Sequence, residues 1–306
     1  STYAPVVQVE NVRFLFALAA NNGLIITQVD IKTAFLHGSL SEVIHMHQPD
    51  GFNDGTGRVW RLKKSIYGLK QAPKCWCETF TSYLKELEFK MAIDNCIHYK
   101  EAPFLIVAVY VDDCVILSHR KDDAGLLISQ LEKKFELHII TSCKFLGFHY
   151  QQLEDGSILL HQTNYVTDLL EKTGMSTSNS APTPMLVNYD KCESPLFEDN
   201  LKFREVIGML QYAASQTRPD IAFAVNYLAR KVAKPSHSDW QAVKRCLRYL
   251  VGTTNLGIKY KRGASRIPIA YSDADFAGDM AKYRSTSGQV VLFGGGPIAW
   301  KSKLQK

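Results

Sequence analysis

Phe104-Leu105-Ile106-Val107-Ala108-Val109-Tyr110-Val111-Asp112-Asp113-Cys114-Val115-Ile116-Leu117 is the stretch that decides the reading of this chain. Two apolar runs rich in β-branched residues enclose paired aspartates, the pattern of a β-hairpin with both acids at its tip. Two ionised carboxylates this close repel each other unless a cation intervenes. Asp-Asp in a turn also has an ordinary explanation, since short acidic side chains bond their own backbone there. The surrounding sequence has to separate the two.

Upstream, Val12, Leu15, Phe16 and Ala19 recur at helical spacing, and Asn21-Asn22-Gly23 ends that helix. Leu24 to Ile31 then reads as a buried strand with Asp30 near its end, and Val59 to Leu62 as a short strand. Pro73 precedes a helix striped with Trp76, Phe80, Leu84 and Leu87. Beyond the hairpin, Asp122-Asp123 reads as the cap of a helix bearing Leu127, Leu131 and Phe135. A strand over Lys144 to Gln151 follows, and Asp155-Gly156 turns the chain into Ser157 to His161. This order predicts an α+β fold, an antiparallel sheet with helices on one face.

Further along, Tyr165 to Lys172 predicts a helix ended by Gly174, and residues 176–200 a loop rich in Ser, Thr, Asn and Pro. Helices are expected at 201–215, 220–233 and 237–251, then strands at 257–262, 267–273, 287–293 and 298–302. The 306 residues, 46% of them hydrophobic, suffice for two or three domains. No apolar run approaches the roughly 20 residues of a membrane span. A net charge of +6 suits a polyanionic partner. Seven scattered cysteines without a Cys-x-x-Cys pair argue against a zinc module or disulfide framework and for reduced, intracellular thiols. With no initiator methionine, and a last residue, Lys306, directly after a strand, a fragment of a larger polyprotein is expected.

The chemistry turns on Asp30, in Val29-Asp30-Ile31-Lys32-Thr33-Ala34-Phe35-Leu36. It is an ordinary strand-end or capping aspartate, or else a third carboxylate brought by sheet pairing beside the hairpin tip. Three such acids can hold two divalent ions that clamp the attacking and leaving oxygens of a phosphoryl transfer.

Here the motifs carry a resemblance. Tyr110-Val111-Asp112-Asp113 resembles the Tyr-x-Asp-Asp box of reverse transcriptases, and the segment around Asp30 resembles the first catalytic motif of copia-type retrotransposon Pol proteins. Ser65-Ile66-Tyr67-Gly68-Leu69-Lys70-Gln71-Ala72-Pro73-Lys74-Cys75-Trp76 is similar to that family's next signature. Phe145-Leu146-Gly147 resembles its primer grip. Thr217-Arg218-Pro219-Asp220-Ile221 and Lys244-Arg245-Cys246-Leu247-Arg248-Tyr249-Leu250 resemble its downstream helices. Ala270-Tyr271-Ser272-Asp273-Ala274-Asp275 with Trp300-Lys301-Ser302-Lys303 is similar to the opening of its ribonuclease H domain.

The resemblance implies an RNA-directed DNA polymerase with a palm and partial fingers over 1–155, a helical thumb and connecting region over 156–256, and the first strands of a truncated ribonuclease H over 257–306. It makes Asp30 and Asp112 ligands of two Mg²⁺ ions, replaceable by Mn²⁺, with Asp113 assisting. Ile31 (through its carbonyl), Ala34, Phe35, Tyr67 and Gly68 would form the nucleotide site, with Phe35 as the gate against a 2′-OH. Phe145, Leu146 and Gly147 would hold the primer end. Lys244, Arg245 and Arg248 are candidates for duplex phosphates, or else a solvated helix face. Asp273 would be the first ribonuclease H carboxylate, its partner acids beyond Lys306. The implied partners are an RNA and DNA template–primer duplex, dNTPs and the rest of the Pol polyprotein, with no membrane, in a cytoplasmic virus-like particle or the nucleus. A different class remains open, a decayed or co-opted copy that binds nucleic acid without catalysis, and a two-metal nuclease is a third reading.

Overall fold

The computed structural model describes residues 2–187, 189, 194–278 and 283–306. The chain opens with helix α1 (Val9–Asn22) and strand β1 (Ile25–Ile31), then a 3₁₀ turn (Ala34–His37). Strands β2 (His45–His47) and β3 (Val59–Arg61) precede helix α2 (Ala72–Glu86). Strands β4 (Lys90–Met91), β5 (Ile97–Lys100), β6 (Leu105–Tyr110) and β7 (Asp113–Ser118) lead to helix α3 (Lys121–Leu131) and strand β8 (Leu137–Ile140). Next come β9 (Lys144–Phe145), β10 (Phe148–Gln152), β11 (Ile158–His161) and helices α4 (Thr163–Lys172), α5 (Asn200–Gln216), α6 (Ala222–Ala229) and α7 (His237–Gly252). Strands β12 (Gly257–Tyr260), β13 (Ile269–Ala274), β14 (Thr286–Phe293) and β15 (Gly296–Leu304) complete the order.

The chain divides into two compact units, one of Ser1–Val12 with Gly23–Ser142, the other of Arg13–Asn22 with Cys143–Lys306. The first is built on a six-stranded sheet in the order β4-β5-β6-β7-β1-β8, with every recorded pairing antiparallel. Alternation along its strands sends Val29, Ile31, Val107, Cys114 and Ile116 to one face. There they pack with Trp76, Phe80 and Leu84 of α2 and Leu127, Ile128 and Leu131 of α3. Trp76, Phe80 and Leu84 recur every four residues, so one stripe of α2 is buried, and Pro73 in its first turn suits a position where the N–H needs no partner. Asp30 falls on the opposite face, because its neighbours Val29 and Ile31 point into this core.

The second unit packs α4, α5, α6 and α7 around Phe203, Leu210, Val225, Val243 and Leu247. It also holds a four-stranded sheet, β12-β11-β10-β9, and a three-stranded sheet, β13-β14-β15. Ser236 and Asp239 form a reciprocal capping box that starts α7. Gly174, at φ 68°, ends α4 as expected, with Met175 N–H bonded to Leu170 O.

Three local expectations are corrected. The segment 144–151 is a hairpin rather than one strand: Leu146 and Gly147, at φ 48° and 89°, form a two-residue turn between β9 and β10. The helix expected at 220–233 is a 3₁₀ turn over Pro219–Ile221 followed by α6, which stops at Ala229. Pro235 disfavours helical geometry at Lys234, and the capping box follows at once. Asp122 and Asp123 lie inside the first turn of α3 rather than at its cap, where carboxylates favour the helix dipole, and Asp123 pairs with Arg120. Residues 176–200 carry no helix before Asn200 among the described residues, and positions 188 and 190–193, Cys192 included, lie outside them.

Candidate active site

Asp30 and Asp113 are register partners across the β1–β7 pairing. Ile31 N–H donates to Asp112 O at 2.9 Å, which makes Ile31 and Asp112 a hydrogen-bonded pair. The next pair along, Asp30 with Asp113, is then the non-hydrogen-bonded kind, in which facing side chains come closest. Asp112 itself sits with Val111 in the two-residue turn between β6 and β7. Of the two tip acids, one is thus in the turn and the other opens the strand. The carboxylate separated by some eighty positions in sequence is brought to them by sheet pairing alone.

The charges of the three acids bear on one another. The Asp113 carboxyl is raised above its ordinary value, first by burial and then by the charges of Asp30 and Asp112. A hydrogen bond from Gln28, a buried amide on the same face of β1, acts the other way. The Cys114 thiol, buried just behind, is pushed up by burial and by the same three acids.

The turn is anchored from the core side. Val111 has φ 58°, a left-handed conformation that costs a β-branched residue more than most. Trp76 of α2, 2% exposed, donates its indole N–H to Val111 O at 2.7 Å. The helix stripe read from sequence as mere core therefore also fixes the backbone beside Asp112. The only sequence signal for it was the position of Trp76 at the end of the segment 65–76.

The 3₁₀ turn after β1 carries buried Ala34 and half-buried Phe35. Phe35 stacks obliquely on Tyr67, with ring centroids 4.9 Å apart. The buried Ser65 hydroxyl donates to Phe35 O, and Ser65 N–H to Gly38 O. Ser65 and Tyr67 thus hold the turn from one short segment, a role sequence reasoning had not given Ser65. The Tyr67 phenol is raised by burial and by the nearby charges of Asp112 and Asp30, so ring and acids share one locality. Gly68 follows at φ 93° with open space where a Cβ would be.

The other candidates lie in the second unit. Phe145 is buried, and Tyr212 sits against Gly147 with its hydroxyl 3.5 Å from Leu146 O. Arg245 bonds Thr183 Oγ1 and Arg248 bonds Asn179 O, so both arginines bind the segment after α4. Lys244 is half-buried on the same helix. Asp273 is exposed on β13 and bonds the N–H of Ala274.

Among the described residues, no group of three or more His, Cys, Asp or Glu side chains is arranged to hold a metal ion by itself. Mg²⁺ seldom uses such a cage: it is commonly held by one or two carboxylates together with substrate phosphates. The facing hard-oxygen donors Asp30 and Asp113 fit that mode of binding. Among the same residues no helix is long and apolar enough to cross a membrane.

Comparison with known proteins agrees. Residues 1–187 match the family described as reverse transcriptase (RNA-dependent DNA polymerase). The chain is 36% identical to the retrovirus-related Pol polyprotein from transposon TNT 1-94 of Nicotiana tabacum, over 99% of this chain and 24% of that protein. It is 37% identical to the corresponding polyprotein from transposon RE2 of Arabidopsis thaliana, over 100% of this chain and 21% of that protein. A transposon Ty5-1 protein of Saccharomyces cerevisiae is 30% identical, over 91% of this chain and 93% of its own length. The chain belongs to the reverse transcriptase family, in its copia-type retrotransposon branch. It spans between a fifth and a quarter of the length of the two plant polyproteins.

Proposed function

We propose that this chain performs RNA-directed DNA synthesis, with Asp30, Asp112 and Asp113 as its catalytic carboxylates. The observation that carries the proposal is the non-hydrogen-bonded Asp30–Asp113 pair with Asp112 in the adjoining turn. In the reaction the primer 3′-oxygen bonds to the α-phosphorus of a dNTP, the α–β P–O bond breaks, and pyrophosphate leaves. Asp30 and Asp112 would hold two Mg²⁺ ions, or Mn²⁺ in their place, with Asp113 assisting and the Ile31 carbonyl as a further ligand. Bound there, the ions supply the charge stabilisation and hydroxyl activation that phosphoryl transfer requires. Trp76 keeps the turn from drifting, which matters because misplacement of about 1 Å can cost a hundredfold in rate.

Ala34, Phe35, Tyr67 and Gly68 line the nucleotide, and the Phe35 ring excludes a 2′-OH. Phe145, Leu146 and Gly147 hold the primer end, a role supported by a turn that Tyr212 packs against. Lys244 is favoured over Arg245 and Arg248 for duplex phosphates, because both arginines are already engaged within the fold. The wider organisation we propose is palm and partial fingers over 1–155, helical thumb and connection over 156–256, and ribonuclease H strands with Asp273 over 257–306. The partners are a template–primer duplex, dNTPs and the remaining Pol polyprotein, in a virus-like particle or the nucleus.

Primer extension on an RNA template with Mg²⁺ tests this reading. Incorporation by the wild type, abolished by Asp112→Asn with duplex binding retained, supports it. Duplex binding without incorporation by either protein supports the non-catalytic alternative.

A further inference from the structure

Thr183 stands exposed in Pro182-Thr183-Pro184, on the segment between α4 and α5. That segment is docked on α7. Ala181 N–H donates to Arg248 O at 3.1 Å, Arg248 Nε to Asn179 O at 2.7 Å, and Arg245 Nη2 to Thr183 Oγ1 at 2.9 Å. The Arg245 contact is half made, because its Nε is buried and has no hydrogen-bond partner among the described residues. An unmade bond from a buried charged donor is costly. Nε and Nη2 form one edge of the guanidinium, which grips an oxyanion with two parallel bonds. Arg218 uses that edge on Asp220, through Nε at 3.0 Å and Nη2 at 2.7 Å. The single hydroxyl oxygen of Thr183 meets only one of the two donors on Arg245. A phosphate on that oxygen brings three acceptor oxygens and close to two negative charges.

The local sequence suits enzymatic transfer to Thr183. A residue before proline is held extended, and residues 181–186 carry neither helix nor strand, the form in which a kinase takes an acceptor peptide. Ser194-Pro195 is the one other Ser or Thr followed by proline, and its half-buried Oγ already accepts from Ser238 N–H at 3.1 Å. We propose that Thr183 is a phosphorylation site for a proline-directed protein kinase, and that Arg245 clamps the phosphate through Nε and Nη2. In the transfer the Thr183 oxygen bonds to the γ-phosphorus of ATP, the β–γ P–O bond breaks, ADP leaves and the hydroxyl proton passes to solvent. The new charge fastens the segment after α4 to α7. None of this depends on the polymerase reading.

The test treats the full chain with ATP, Mg²⁺ and a proline-directed kinase, maps the phosphate by mass spectrometry and titrates it by ³¹P NMR. Phosphate should appear on Thr183, and its second ionisation should fall about 1 pH unit below the ordinary value of about 6, since a close cation favours the dianion. Arg245→Gln should restore the ordinary value, and Thr183→Ala should remove the signal. The same phosphorylated chain in denaturant supplies the unclamped reference, so the wild type decides even where Arg245→Gln does not fold. Absence of phosphate on Thr183, or a phosphothreonine that titrates alike in the folded and denatured chain, overturns the proposal. A folded Arg245→Gln chain that keeps the lowered value overturns it as well.

Discussion

Asp30 and Asp113 face each other across two antiparallel strands at a non-hydrogen-bonded position, the pairing in which the sheet brings facing side chains closest. Burial first, and then the charges of Asp30 and Asp112, raise the Asp113 pKa. Under the proposed function, the arrangement is a local cost that a bound cation would offset.

That cost is measurable as stability. A carboxyl whose folded pKa is raised contributes stability below its unfolded pKa, and loses it as pH rises through the folded value. In metal-free buffer Asp113→Asn should therefore raise Tm at pH 7, and the gain should shrink as pH falls through the carboxylate range. A gain independent of pH would contradict this account.

Trp76→Phe keeps an aromatic ring in the core but leaves the Val111 carbonyl without its donor. Loss of a buried partner costs about 1–3 kcal/mol, to be read by denaturant unfolding. Primer extension should fall further than stability alone explains, through kcat rather than the dNTP KM. Unchanged kcat would mean that the turn holds its shape without Trp76.

Phe35→Ala should raise rNTP use relative to dNTP by roughly 10–200-fold, the range available to steric discrimination in a pocket. Tyr67→Ala should move it the same way by less, because Tyr67 supports the ring rather than standing as the gate. Discrimination ratios from single-nucleotide incorporation decide this, and unchanged ratios remove Phe35 from the gate.

His98 carries a second pH signature. Its folded pKa lies near 4, below the ordinary 6.5, so the unfolded chain takes up the proton first. Stability should fall as pH drops from about 6.5 toward 4, and His98→Phe should flatten that part of the profile. Thermal melts across this range measure it.

The hairpin and the helix stripes were legible in sequence because alternation and fourfold spacing leave strong periodic marks. The Leu146–Gly147 turn was not, since Leu146 gives no warning that it adopts a positive φ beside Gly147. α6 stops at Ala229, short of an apolar pattern that runs on to Val232 and Ala233. In the site, the three acids could be picked out by type and motif. Trp76, Ser65 and Gln28 could not be assigned their supporting roles, because each acts through a contact between residues some thirty to eighty-five positions apart.

Divalent-ion binding at the β1–β7 edge tests the central claim most directly. Mn²⁺ titrated into the ¹⁵N-labelled chain should broaden the amide signals of residues 30–31 and 111–114 first, and Asp112→Asn should abolish that selectivity. Broadening that begins elsewhere and leaves these residues sharp would contradict the account.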